Sequence, residues 1–222
     1  MIKFCIFDLD GTLLDTLPTI KHHLNTSLVK FGLSPVDDEK TKRYIGDGAY
    51  QLLFRAMSEQ GVTDKERIMT VLDFYMKEYE RAPLYGTEVY PGVPELLCSL
   101  RENGITPLVL SNKPDVAAKA VVAHYFGNTF ALVRGGLDSV PLKPDPTAPL
   151  SMLREMGADP SECAFVGDTA VDILTGKNMS AAISIGVLWG FREKEELVNA
   201  GADVTVSTAG EIIGVIGEYN GT

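Results

Sequence analysis

Short apolar runs separated by helical stretches constrain the fold of this chain more tightly than any other feature of its sequence. From Val93 onward a helix to Asn103 precedes TPLVLSN, and a helix near Val116 to Tyr125 precedes ALVRGG. A helix around Leu150 to Met156 then leads into CAFVGD, one around Val171 to Asn178 into AAISIGVLWG, and FREKEELVNAG into ADVTVS and a last helix. Strands that are apolar throughout and alternate with helices belong to a parallel sheet covered by helices on both faces, an α/β architecture. The opening run MIKFCIF has the same character and joins the same sheet.

Between the first strand and Val93 the pattern is helical instead. Leu17, Ile20, Leu24, Leu28 and Phe31 recur at spacings of three and four, with Gly32 as the stop. A second helix carries Leu52, Leu53, Phe54 and Met57 and stops at Gly61. Thr63-x-x-Glu66 has the spacing of a capping box and opens a long helix through Ile68, Val71, Tyr75 and Tyr79. The segment APLYGTEVYPG, Ala82 to Gly92, mixes proline and glycine and reads as a connection. Residues 16–84 are therefore expected to form an all-helical insertion, with residues 1–15 and 85–222 as the sheet-bearing core. The two lobes then meet over the end of the first strand.

The chain has 222 residues with 20 Lys plus Arg against 30 Asp plus Glu, a formal charge of −10 that argues against nucleic acid or a basic membrane patch as partner. Small molecules are the expected partners, and charge leaves the oligomeric state open. Cys5, Cys98 and Cys163 are far apart and form no CxxC pair, as expected of reduced thiols in a core. The longest apolar segments fall short of the roughly 18 residues that a membrane span needs, so the expectation is a soluble cytoplasmic protein. EF-hand, P-loop and HExxH patterns do not occur, and His22, His23 and His124 read as ordinary helix residues.

In open parallel sheets ligands gather beyond the carboxyl ends of the strands, and there this sequence is polar. The first strand ends in FDLDGT, where alternation puts Asp8 and Asp10 on one side with Leu9 facing away. Two such anions at roughly 4 Å repel by about 4 kcal/mol at an effective dielectric near 20, so a cation or proton has to compensate. TPLVLSN ends at Ser111 and Asn112, CAFVGD ends at Asp168 with Asp172 four residues on, and VPLKPDP presents Lys143. Taken singly, Ser111, Asn112 and Asp172 read as helix N-caps. Together, three aspartates at two strand ends offer hard oxygen ligands suited to magnesium, and the lysine and small polar donors suit a phosphate ester. One carboxylate could then attack phosphorus while a second, two residues on, moves protons.

These motifs resemble those of the haloacid dehalogenase superfamily of aspartate-dependent phosphohydrolases. FDLDGTLLDT is similar to its first motif, LSNK to the second, Lys143 in LKPDP to the third and VGDTAVD to the fourth, in the same order. The resemblance implies a Rossmann-like core with a helical cap inserted after the first motif, as in the branch that holds phosphoglycolate phosphatases and beta-phosphoglucomutases. It makes Asp8 the nucleophile, Asp10 the general acid and base, and Asp8, Asp168 and the Asp10 backbone carbonyl the magnesium ligands, with Asp172 supporting them. It further implies that Ser111, Asn112 and Lys143 bind the phosphoryl group, aided by backbone amides at Gly11 and Thr12.

Within the insertion, RYIGDGAYQLL resembles the cap segment of phosphoglycolate phosphatases, as GFREKEELVNAGAD resembles their C-terminal region. Arg43 and Gly46 are thereby candidates for contact with a small substrate, Arg43 or Lys42 through a carboxylate. The function implied is hydrolysis of a small phosphorylated metabolite, most like phosphoglycolate phosphatase. A beta-phosphoglucomutase-like isomerase, a pyrophosphatase or a nucleotidase would use the same residues, and a binding protein without turnover would keep only the fold. Hinges are expected near Asp15 to Pro18 and Ala82 to Pro91.

Overall fold

The computed structural model describes residues 1–221, leaving Thr222, the last residue of the expected core segment, outside the described residues. The first strand, β1 (Phe4–Phe7), is followed by β2 (Leu14–Asp15) and then four helices, α1 (Leu17–Lys30), α2 (Asp38–Tyr44), α3 (Gly48–Ser58) and α4 (Lys65–Arg81). A two-residue strand, β3 (Glu88–Val89), returns the chain to α5 (Val93–Glu102), β4 (Thr106–Pro114), α6 (Asp115–Phe126) and β5 (Leu132–Gly136). The remainder comprises α7 (Thr147–Glu155), β6 (Cys163–Gly167), α8 (Ala170–Asn178), β7 (Ile183–Val187), α9 (Lys194–Asn199), β8 (Val204–Val206) and α10 (Ala209–Asn220).

Six strands form one sheet in the order β5-β4-β1-β6-β7-β8, and every pairing in it is parallel. β1 sits between β4 and β6, with Phe4 opposite both Thr106 and Cys163. Strand alternation divides the core: Cys5 and Phe7 pack with Val109, Val166 and side chains of α5, α6 and α10 on one face. Ile6 packs with Leu108, Phe165 and Met152 of α7 on the other. Helices thus cover both faces, as the apolar strands require. Cys5 and Cys163 lie in this core, whereas Cys98, on the outer side of α5, is exposed and corrects the reading of all three as core residues.

The helices α1, α3 and α4 bury Leu24, Leu28, Leu53, Met57, Ile68 and Val71 against one another, and this cluster extends to Ala117 of α6 and Phe191. Asp64, not Thr63, caps α4 by accepting from the Arg67 amide, and Asp37 caps α2 in the same way. The segment read as a plain connection contains β3, which pairs antiparallel with β2 and ties together the two chain passages leading into and out of the helices. Lys177 and Asn178, at the end of α8, are held by Asp203 and the Pro144 carbonyl at 2.5 and 2.9 Å. Among the described residues no helix is long and apolar enough to cross a membrane.

Candidate active site

β1 delivers Asp8 one residue past its end, and the chain then turns at Gly11, whose φ is +88°. A side chain there would be strained, and a Cβ would run into the Asp168 carboxylate and the Phe191 ring. Glycine therefore lets the turn close onto the β6 end. Thr12, buried in that turn, donates its hydroxyl to Asp168 Oδ1 at 3.0 Å.

From β6, Asp168 is fully buried, and its Oδ2 accepts from the Phe191 amide at 2.8 Å. Thr169 is the N-cap of α8 in a capping box with Asp172, whose Oδ2 accepts from the Thr169 amide and hydroxyl at 3.1 and 2.8 Å. Asp172 Oδ1 accepts from Lys143 Nζ at 2.6 Å. The same ammonium lies 2.7 Å from Asp8 Oδ1, so Lys143 bridges the two carboxylates. Asp172 is thus the third position of a capping box, with Thr169 in the capping place, and its carboxylate also anchors Lys143.

Ser111 and Asn112 are not N-caps either. β4 runs on through both to Pro114, which stands ahead of α6. Asn112 uses Oδ1 to accept from the Lys143 amide at 2.8 Å, and its two amide hydrogens go to the carbonyls of Lys143 and Gly46 at 3.1 and 3.0 Å. Its side chain therefore holds two loops in place, with both amide hydrogens engaged. Ser111 accepts from the Lys113 amide at 3.2 Å and keeps its hydroxyl hydrogen.

Lys113 is the residue that the sequence reading passed over. Its Nζ reaches both oxygens of Asp10, at 3.0 and 3.2 Å, and the Tyr79 hydroxyl at 2.5 Å. A signal was present, because strand alternation puts Lys113 of LSNK on the side of Ser111. Asp10 is thereby turned away from the other carboxylates. Oxygens of Asp8, Asp168 and Asp172 all lie within 4.8 Å of one another, a group that the Asp10 carboxylate does not join.

Burial pushes Asp8 up to about 7, with Lys143 opposing and Asp172 and Asp10 reinforcing. Asp168 is raised by burial and then by Asp172 and Asp8, against the Phe191 and Thr12 donors. Burial alone would lower Lys143, but Asp172 and Asp8 outweigh it and hold the ammonium above its ordinary value. Lys113 is held up in the same way by Asp10 and Tyr79. With all three buried carboxylates ionised around the one ammonium, two negative charges would be in excess. A divalent cation matches that excess, and the all-oxygen donor set fits one.

A cavity of about 360 Å³ opens between this sheet edge and the helices, lined by Asp8, Asp10, Gly46, Ser111, Asn112 and Lys143 among others. Arg43 is not among its lining residues. It lies in a neighbouring cleft with Lys42, Arg55 and Arg192, on the other side of the Ile45–Gly46 segment that both share.

The sequence of residues 2–180 matches the family model for haloacid dehalogenase-like hydrolases. The chain belongs to the haloacid dehalogenase-like hydrolase family. Phosphoglycolate phosphatase 1 of Pseudomonas aeruginosa is 35% identical over 180 residues, spanning 79% of this chain and 65% of that one. A phosphoglycolate phosphatase of Rhodospirillum rubrum is 33% identical over 208 residues, 91% of this chain and 86% of that protein. In structure, the crystallised Lactobacillus delbrueckii subsp. bulgaricus protein that carries phosphoglycolate phosphatase as a provisional name superposes with a TM-score of 0.91 at 28% identity, covering 96% and 98% of the two chains. This member of the haloacid dehalogenase-like hydrolases thus has aspartates at the ends of two adjacent parallel strands, and a lysine bridging Asp8 to Asp172.

Proposed function

We propose that the chain is a magnesium-dependent phosphomonoesterase that works through an aspartyl-phosphate intermediate on Asp8. The observation that carries this reading is Asp8 itself, buried at a strand end beside the Lys143 ammonium at 2.7 Å and grouped with the Asp168 and Asp172 carboxylates. In the first step an Asp8 oxygen attacks phosphorus, the bond from phosphorus to the alcohol oxygen breaks, and the departing oxygen takes a proton from Asp10. Water then attacks the phosphorus of the aspartyl phosphate and loses a proton to Asp10, and Asp8 leaves as a carboxylate with release of inorganic phosphate.

Lys143 draws the phosphoryl oxygens toward Asp8 and restrains its charge, and Ser111 donates its hydroxyl to them; the Gly11 and Thr12 amides, expected near the phosphate, instead donate to the Leu14 and Leu9 carbonyls at 2.8 and 3.4 Å. Asp8, Asp168 and the Asp10 backbone carbonyl would hold magnesium, which would supply the charge neutralisation that lets a carboxylate near a phosphoryl group. Asp172 keeps Lys143 in position, and Lys113 with Tyr79 fixes the Asp10 carboxylate.

Residues 16–84 act as a cap on the core of residues 1–15 and 85–222. They open for exchange about the paired passages at Leu14–Asp15 and Glu88–Val89 and close to exclude bulk water. The relatives' name makes 2-phosphoglycolate the reference ester, and the cap and core walls of the cavity choose the alcohol that leaves. Phosphate release over a panel of phosphoglycolate, sugar phosphates, nucleotides and pyrophosphate tests the reading, with Asp8→Asn and magnesium omission as controls. Turnover is expected to vanish in both controls. Phosphatase activity that survives Asp8→Asn would refute the mechanism.

A further inference from the structure

The walls of the cavity speak about the leaving group, and the inference rests on the phosphomonoesterase reading. Its charged lining residues are Asp8, Asp10, Lys113, Lys143 and Glu80. Both ammoniums are taken: Lys143 by Asp8 and Asp172, Lys113 by Asp10 and the Tyr79 hydroxyl. The remaining charge, the exposed Glu80, is an anion. Every other lining side chain is uncharged, and the cap contributes Ile20, Ile45, Leu52, Tyr75 and Met76 opposite Val116 and Ala117 of α6.

The nearest group of cations does not turn into this space. Arg192 donates to the carbonyls of Lys42 and Ile45 at 2.5 and 2.8 Å and pairs with Glu196. Arg55 pairs with Asp47 and Lys42 with Glu39, while Arg43, exposed in the same cleft, does not line this cavity. A carboxylate on the leaving group would thus be desolvated against apolar side chains, and the lining charge left over, Glu80, is itself an anion. The volume of about 360 Å³, which includes the space beside Asp8, Ser111 and Lys143, lies within the range of pockets that enclose organic ligands.

We propose that the alcohol released by this enzyme is uncharged, with an apolar body of several carbons that packs against Leu52, Met76 and Ala117, and that phosphate esters of small hydroxy acids are its poorer substrates. The physical basis is transfer of hydrocarbon from water to the apolar wall, which raises kcat/KM by about fourfold for each methylene until the wall is covered.

The test uses the full chain with magnesium and measures kcat/KM for 2-phosphoglycolate, for its uncharged amide, and for linear alkyl phosphates from ethyl to hexyl. The amide is expected to exceed phosphoglycolate by at least about tenfold, the order of discrimination one wall contact provides, and the alkyl series is expected to climb with length. In Met76→Lys, which puts a cation into the wall, the preference is expected to shift at least about tenfold toward phosphoglycolate. If phosphoglycolate equals or exceeds its amide, and the alkyl series is flat, this inference is overturned while the phosphatase reading stands. No phosphate release from any ester overturns both.

Discussion

Removing magnesium and raising the pH should expose the electrostatic tension built into the site. Asp8 has an ordinary value of 3.8, which burial raises to about 7 in the folded protein. The folded state therefore holds this proton more tightly than the unfolded chain does. The stability so conferred is complete below about pH 4 and lost as the pH rises through 7. Three units at 1.36 kcal/mol each give a loss on the order of 4 kcal/mol between these limits, and Asp168, raised in the same direction, adds to it.

Urea unfolding in chelator across the range from about pH 4.5 to 8.5 reads this directly, with Asp8→Asn as reference because the amide cannot titrate. Wild type is expected to lose stability relative to the variant by an amount of that order as the pH rises. Saturating magnesium at pH 8 should restore much of it, since ligand at a hundred times its dissociation constant is worth about 2.7 kcal/mol. At pH 5, where Asp8 keeps its proton, the same magnesium should add less. Parallel stability curves for wild type and Asp8→Asn would refute the reasoning, because they would mean that Asp8 ionises in the fold as readily as in water.

Two further outcomes follow from particular contacts. Lys113→Met and Asp10→Asn should be non-additive by about 1–3 kcal/mol in denaturant unfolding, since Lys113 Nζ touches both Asp10 oxygens at 3.0 and 3.2 Å; additivity within about 0.5 kcal/mol would show the pair to be energetically idle. Gly11→Ala should lower stability by about 1–2 kcal/mol for the left-handed backbone and weaken magnesium binding, because its Cβ displaces the Asp168 carboxylate; titration calorimetry showing unchanged magnesium affinity would contradict that placement.

What the sequence revealed and what it hid divide along physical lines. The six parallel strands were legible because each carries short apolar character between helices, most plainly in β6 and β7, which are buried along their whole length. Asp8, Asp168 and Lys143 were legible as candidates because carboxylates and an ammonium beside apolar strand ends carry a charge that folding has to answer. β2 and β3 were hidden, since two residues in each strand leave no alternation to detect. The part Asn112 plays in holding two loops was hidden, because a residue that binds loops and one that binds phosphate look alike until its hydrogen bonds are traced. The Phe191 amide that holds Asp168 was invisible, as any backbone donor is.

Arg43 shows a different limit, and it bears on substrate choice. Its place in a cap segment suggested a carboxylate partner, but the Ile45–Gly46 stretch stands between its cleft and the cavity that contains Asp8. Motif similarity reports the machinery that acts on the phosphoryl group, which every ester shares. The leaving group is met by side chains from α1, α3, α4 and α6, brought together only by the packing of the helices on the core, and their apolar character emerges from that packing. The same catalytic set can therefore serve a charged or an uncharged alcohol, and the wall of Leu52, Met76 and Ala117 decides which one leaves the water behind at least cost.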